Sequence, residues 1–551
     1  MEKRLFLAAG LSLGILLLWE GVIAKRIAPP PPRPTPASAT APGAAPPVTG
    51  MAAGTATSPA PPPAAPAAPA PLEPVAAAAE QTAVLENGVV RATFSSRGGV
   101  LVSYLLLQHR DEQKQPLELV KQLPAPAPRP LSLDFPGHPE LTEKAAKALF
   151  AIERPDAHSL RLRFAEGTLA ITKEVKLGTG YLFDVTTSVP GASFAVAVGT
   201  GLRNAGAEES SRYSPPAAAL AMTGGSFERA NADKLAKPKT FTVDPKGYAG
   251  LEDNYFLAVF LPAQPATAVI RAVPLPEVEG KKAAAAPTVE ITASGTLAAK
   301  AYYGPKDVEI LEGTHLGLER TVDFGWYGIL ARPLLWLLKR TYTWVGNYGV
   351  AILLVTLAIR ILLFPLMHKS YASMKKMQKL APKMNAIRDK YKKAKTDAAQ
   401  RQKMNEEIMK LYQAEGYNPM SGCFPILLQL PILVAFYNVL SRSIELRHAP
   451  FVLWIRDLSA VDHTYVLLIL MIISMYVQQA MTPSTADPTQ KKIFMAMPLL
   501  WGFFLKDMPS GLVLYWLFSN LLTVLQQVII NKIPGGDAAA PEPKKMRQAR
   551  A

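Results

Sequence analysis

Cysteine occurs once in this chain, at Cys423, so no disulfide can form within it and no cysteine metal site can be built. Histidine is scarce as well. His109, His138, His158 and His315 stand far apart with no paired ligand spacing, and they read as surface histidines. No glycine-rich phosphate loop follows a strand and opens a helix. These absences point away from an enzyme and from any metal or other cofactor. Carboxylates are also missing from the long apolar runs at 345–367, 424–440, 465–480, 493–505 and 509–530. A proton- or sodium-coupled transporter usually needs a titratable carboxylate there.

What is present divides the chain. Residues 1–27 carry Lys3 and Arg4 ahead of an apolar stretch of spanning length, with no small-x-small cleavage site close to its end, and read as an uncleaved transmembrane anchor. Residues 28–79 are dominated by proline and alanine. Such a segment cannot bury a core, and it reads as a disordered tether. Residues 80–320 show apolar positions with period two in short runs, among them Val89 to Phe94, Leu160 to Phe164, Leu169 to Thr172, Tyr181 to Val185, Phe194 to Val198 and Val289 to Ile291. Glycine, proline and asparagine separate the runs, and Ser96-Arg97-Gly98-Gly99 reads as a turn. This pattern predicts an antiparallel β-sandwich. Sandwiches of this kind also bind sugars, so the fold alone leaves a carbohydrate-binding role open.

Residues 321–344 mix Trp326, Tyr327, Trp336, Tyr342 and Trp344 with Arg332, Lys339 and Arg340, and predict an amphipathic helix lying on the outer membrane surface. Residues 345–533 hold five further spans, and residues 534–551 form a basic tail. The formal net charge of +16 collects mainly between Lys369 and Lys410 and in that tail. The positive-inside rule explains it without DNA, and puts both ends and the 369–418 segment in the cytoplasm. The fold class is therefore mixed: a polytopic α-helical membrane domain of six transmembrane helices plus an antiparallel β-sandwich on the periplasmic side.

Within 369–418, Tyr371, Met374, Met377, Leu380 or Ala381, Met384, Ile387 and Tyr391 recur every three to four residues, and Met404, Ile408 and Leu411 do so again. Two short antiparallel helices would bury these seams against each other. A structural hairpin and a receiving surface of exposed, adaptable methionines are equally compatible with the spacing.

Arg360 is the polar residue that matters most. It lies about 12 Å, at 1.5 Å per residue, inside the cytoplasmic end of its helix, which strains snorkelling and points to a hydrated cavity. Trp516, Asn520, Thr523 and Gln527 share one face of the last span, and Gln429, Ser474 and Gln478 add neutral polar groups. These groups support the cavity, with interhelical hydrogen bonding as the plainer alternative.

Asn418-Pro419-Met420-Ser421-Gly422-Cys423-Phe424-Pro425-Ile426-Leu427-Leu428-Gln429-Leu430-Pro431-Ile432 resembles the third-span signature of the YidC/Oxa/Alb insertases, and Pro509-Ser510-Gly511-Leu512-Val513-Leu514-Tyr515-Trp516 resembles that of their last span. The 449–459 segment is similar to the outer loop of Gram-negative members, and Tyr303-Gly304-Pro305-Lys306-Asp307 extends the likeness into the soluble region. Arg360 and Thr356 fall where the family has its groove arginine and the residue one turn before it. Trp516 stands where some members have a second tyrosine. The resemblance implies a bacterial inner-membrane insertase and chaperone with a hydrophilic groove, open to cytoplasm and lipid. It would act on nascent membrane proteins, alone or with the Sec translocon; a ribosome contact is left open. A client's polar segment would meet Arg360 and the 516–527 face, while its apolar segment slid along Met471, Met475 and Tyr515 into the lipid bilayer. The soluble part would be a mutarotase-like sandwich without that catalysis.

Overall fold

The computed structural model describes residues 73–124, 127–203, 217–275, 285–391, 397–415, 424–482 and 488–532. The expected anchor, most of the expected tether, the basic tail and the 418–423 part of the third-span motif lie outside these residues.

The β-rich half grows from the alternation seen in the sequence. Strands β1 (Thr82–Glu86), β2 (Val90–Ser95), β3 (Val100–Arg110) and β4 (Pro116–Glu118) form a four-stranded antiparallel sheet. The turn expected at 96–99 joins β2 to β3, with Gly98 and Gly99 at φ 70° and 56°, a region that disfavours a Cβ. A twelve-stranded sheet is built around two long strands, β9 (Leu182–Thr200) and β16 (Ala285–Pro305), which pair along most of their length. Tyr104 of β3 packs on Phe183 of β9 and Tyr303 of β16, with ring centroids 5.8 and 5.5 Å apart, so the two sheets share one core.

Two sequence expectations change here. The runs at 181–185 and 194–198 belong mostly to one strand, β9. The intervening Pro190 and Gly191 (φ 75°) sit where the register against β16 shifts, so they mark an irregularity within a strand and not its end. The tether gives up its last residues to the domain: Val75 forms a bridge with Ala165, and Ala77 N donates to Leu149 O at 2.9 Å. An extended proline- and alanine-rich chain still carries backbone donors and acceptors, and a strand edge takes them.

Asp307 caps the short helix α2 (Val308–Gly313), accepting from Glu309 N and Ile310 N, and the chain then passes to the helical half. (Helix α1, Pro139–Lys147, lies earlier, within the β-rich half.) Helix α3 (Gly328–Val345) is the expected amphipathic helix, with Pro333 in its second turn. Ala331, Leu334, Leu335 and Leu338 are buried on one side, whereas Trp326 just before the helix, Ile329, Trp336 and Trp344 are 63–84% exposed. Lys339 joins the two halves: its ammonium lies 3.5 Å from Asp307, 3.0 Å from Glu309 and 3.1 Å from Glu445. Burial pulls Lys339 down, but Glu445 and Asp307 outweigh it and hold its pKa above the usual value. Burial, followed by the nearby Asp307, raises Glu445, since three carboxylates share one cation.

Helix α4 (Tyr348–Lys379) starts three residues later than the expected span, after Gly346 (φ 65°) closes α3 and Asn347 caps α4 by accepting from Val350 N. It also runs twelve residues past 367, so the first arm of the expected hairpin is the spanning helix itself, continued by α5 (Ala381–Lys390). The second arm is α6 (Ala398–Ala414). Helices α7 (Phe424–Arg442), α8 (Val466–Met481), α9 (Pro488–Leu505) and α10 (Ser510–Lys532) complete the helical half. Among the described residues, α4 and α10 are long and apolar enough to cross a membrane, and α8 and 492–505 are shorter apolar helices.

Candidate functional site

Three helices bring the site together. Arg360 on α4 turns its guanidinium towards α10, where Nη2 donates to Ser519 O at 3.2 Å and to Ser519 Oγ. Gln429 of α7 reaches the same place: its Nε2 donates to the Tyr515 hydroxyl and, at 3.4 Å, to Ser519 Oγ. Tyr515 is buried and stacked on Phe436 of α7, with ring centroids 4.0 Å apart. The cation therefore rests on neutral oxygen atoms, and no carboxylate pairs with it among the described residues. Nε and Nη1 have no protein partner there and are not sealed off. A guanidinium offers five N–H donors, so most of its capacity is left over.

The polar face expected on the last span, through Trp516, Asn520, Thr523 and Gln527, is not the one that meets Arg360. Ser519 and Tyr515, four residues apart, face Arg360. Asn520 and Gln527 face α8 instead: Asn520 Nδ2 donates to Ser474 Oγ at 3.0 Å, and Gln527 Nε2 donates to Thr482 Oγ1 at 3.1 Å. Ser474, Asn520 and Gln527, expected to line the groove, are instead buried and bind helices together. Thr523 turns its hydroxyl back onto Ser519 O at 2.9 Å, and Thr356, also buried, onto Ile352 O at 2.6 Å. Gln478 is half-buried, and its carbonyl accepts from Thr482. Trp516 is half-buried and tilted against Trp501 of α9 at 5.2 Å.

The apolar contacts need correction. Met471 is fully buried in the helical core and can touch no client in this arrangement; Met475 is half-buried against the same core. The outward residues of α8 are Ile469, Leu470, Ile473 and Val477, one helical face away. Tyr515 likewise contributes its hydroxyl to the polar cluster, and its ring is sealed by Phe436. In the hairpin, Met377 and Met384 are buried with Leu380 and Tyr412, and Met374 packs on them, so these methionines form the structural seam and not an exposed surface. Met404 is half-buried and outside that seam. Ser519 was missed from the sequence, although it stands one turn from Tyr515.

The histidine reading holds for His138, His158 and His315, which are exposed. His109 is different. It is half-buried against Phe256, ring centroids 5.8 Å apart, and burial, with help from the neighbouring Arg447, holds its pKa down at about 4.

Two family models match: one described as the YidC periplasmic domain over residues 82–337, the other as a 60Kd inner membrane protein over residues 340–536. The membrane protein insertase YidC of Syntrophus aciditrophicus is 34% identical over 97% of this chain and 100% of its own length. This chain belongs to the YidC family of membrane protein insertases. The YidC of Geobacter metallireducens is 45% identical, in a match covering 54% of this chain and 56% of that protein. A crystal structure titled as an active YidC insertase with its first transmembrane domain resolved aligns over 83% of this chain and 94% of that chain, with 19% identity and a TM-score of 0.36. YidC is thus an inner-membrane family with a periplasmic domain, here the β-rich half, and a family of insertases and not of enzymes.

Proposed function

We propose that this protein inserts and folds integral membrane proteins through a groove whose polar floor is Arg360, Ser519, Gln429 and Tyr515. The observation that carries this reading is the half-satisfied guanidinium. Arg360 lies about 18 Å along α4 from its start, at 1.5 Å per residue, yet its side chain is tied to α10 and keeps donors in reserve. A half-buried cation of this kind at membrane depth needs water or a polar partner. A client's polar or acidic segment supplies one, passes Arg360 in transit, and leaves its apolar segment to lipid. Transfer of that segment at about 0.8 kcal/mol per CH₂ drives the step, with no nucleotide.

The rest of the arrangement follows from charge. The anchor 1–27 and five later helices make six spans, with both termini and the basic hairpin in the cytoplasm and the β-rich domain in the periplasm. The tether 28–79 gives that domain reach. Nascent membrane proteins arrive at the α5–α6 end, by themselves or from the Sec translocon, and the basic charge of the tail suits a ribosome contact.

The test is reconstitution in liposomes with a small single-span client. Wild type should insert it, and Arg360→Ala should insert it roughly tenfold more slowly, the scale of one charge-assisted hydrogen bond. Equal rates would remove Arg360 from the mechanism. No gain by the wild type over protein-free liposomes for several clients would refute the insertase reading.

A further inference from the structure

The connection between α7 and α8 carries an apolar tip that no part of the described protein covers. Val452, Leu453 and Trp454 are all exposed, Leu453 by 84%, and Leu453 holds φ 55°, a conformation unfavourable to a branched apolar residue. Yet the tip is not loose. Phe451 N donates to Ile455 O at 3.0 Å and Ile455 N to Val452 O at 3.1 Å, closing a tight turn, and Ile455 is buried beneath it. Behind the turn, Leu458 N donates to Ala449 O, and Ser510 Oγ holds Asp457 O at 2.7 Å. A rigid scaffold therefore presents a leucine and a tryptophan outward.

Its level in the molecule says what it meets. Asn347, the cap of α4, donates from Nδ2 to Phe451 O at 3.0 Å, and the Phe451 ring lies against Gly349 so closely that a Cβ there would come within 2.0 Å of it. The tip is thus fastened to the first turn of the spanning helix α4. Trp344, 76% exposed, lies three residues before that cap, at the end of the amphipathic α3. Tyr465, 44% exposed, opens α8 on the far side of the connection. Exposed aromatics at helix ends mark the membrane–water boundary. Arg456 and Asp457 follow the tip at once, so apolar and charged residues are separated within a few positions.

We propose that residues 452–454 insert into the outer leaflet of the bilayer, as a second lipid contact beside the exposed face of α3. This rests on the orientation given under Proposed function. The partner is the acyl–headgroup boundary of a phospholipid bilayer. With α3 it clamps the outer end of α4 at a fixed depth.

The experiment uses the full chain carrying Cys423→Ser, with an environment-sensitive fluorophore on Leu453→Cys or, as a water-exposed control, on Gln113→Cys. Both are reconstituted in phosphatidylethanolamine–phosphatidylglycerol vesicles. The expected result is a blue-shifted Leu453→Cys probe, quenched by lipid-borne nitroxide and at least threefold less than the control by aqueous iodide. Iodide quenching equal to the control's overturns the proposal. So does a probe shielded from both quenchers that self-quenches as protein density rises, which would mean a second copy covers the tip. Client insertion by the same vesicles reports the insertase reading separately, so an active protein with a wet tip refutes the tip alone.

Discussion

Lys173 in the β-rich half and Arg360 in the helical half are both cations placed away from bulk water without a carboxylate partner, and the two halves treat them in opposite ways. Lys173 sits on β8 (Leu169–Leu177), is 0% exposed, and donates to Gly98 O, Gly99 O and Leu131 O at 2.8, 2.9 and 2.7 Å, with its ammonium 5.1 Å from the Phe150 ring centre. An ammonium has three donors, and all three are used. Burial still pulls its pKa down to about 7. Arg360 spends one nitrogen on one serine and keeps the rest. A caged cation ties the 98–99 turn to the larger sheet. A half-held one keeps donors in reserve among the described residues, as the proposed groove requires, and it is also the less buried of the two.

That contrast can be broken by removing each charge. The largest loss should follow Lys173→Ala, which leaves three carbonyls unpaired in a sealed core. At about 1–3 kcal/mol per unsatisfied group, roughly 4 kcal/mol of stability should go. Thermal unfolding of the full chain in detergent, followed by its β-sheet signal, should move down by on the order of 10 °C. An unchanged midpoint would mean the cage holds nothing.

Lys339→Ala should come next. It strands the buried Glu445 beside Asp307, and breaking such a pair costs about 3 kcal/mol. The loss should be local, read as faster hydrogen exchange across α2 and the start of α3 while the central strands stay protected. Uniform exchange throughout would deny Lys339 its joining role.

Smaller still is an acid effect. His109 titrates at about 4 when folded against an ordinary value near 6.5, so the unfolded chain binds the extra proton between those values. Stability should therefore fall as pH drops from about 6.5 to 4, by on the order of 2 kcal/mol, and His109→Gln should flatten the slope. A slope unchanged in that variant would assign the effect to other groups.

The smallest change is expected from Ser519→Ala. It removes one hydroxyl but leaves Ser519 O, so stability should shift by about 1 kcal/mol or less. Its client insertion should lie between those of wild type and Arg360→Ala. Insertion lower than in Arg360→Ala would make the serine, not the arginine, the working group.

Much of this was legible in the residues. Period-two runs located β2, β7 (Ser159–Glu166) and β8, and apolar length located α7, α8 and α10 within two residues, whereas α4 runs twelve residues past its expected end. The long strand β9 was not legible, because proline and glycine mark strand ends more often than irregularities. Lys173 was legible in principle: Leu169, Ile171, Val175 and Leu177 point inward on β8, and the lysine occupies the inward position between them. Arg360 was found from depth alone. Its partner was not, because consecutive helical residues point about 100° apart. Asn520 looks at α8 and Trp516 at α9, whereas the face through Tyr515 and Ser519, one residue back, looks at Arg360. A sequence shows that a helix has polar faces; only neighbouring helices decide which one meets the charge.

Helix α4 is continuous from its cap at Asn347 through Arg360 into the seam of the hairpin, with Pro365 inside it. A proline there removes one hydrogen bond and makes that point the softest along the rod. The rod is therefore a lever with its fulcrum five residues from the guanidinium. Lys379 lies fourteen residues beyond Pro365, about 21 Å at 1.5 Å per residue, so a bend of roughly 10° swings that end by about 4 Å. A load on the hairpin would bend α4 at Pro365, so the motion would centre close to Arg360 and leave the outer turns of the helix in place.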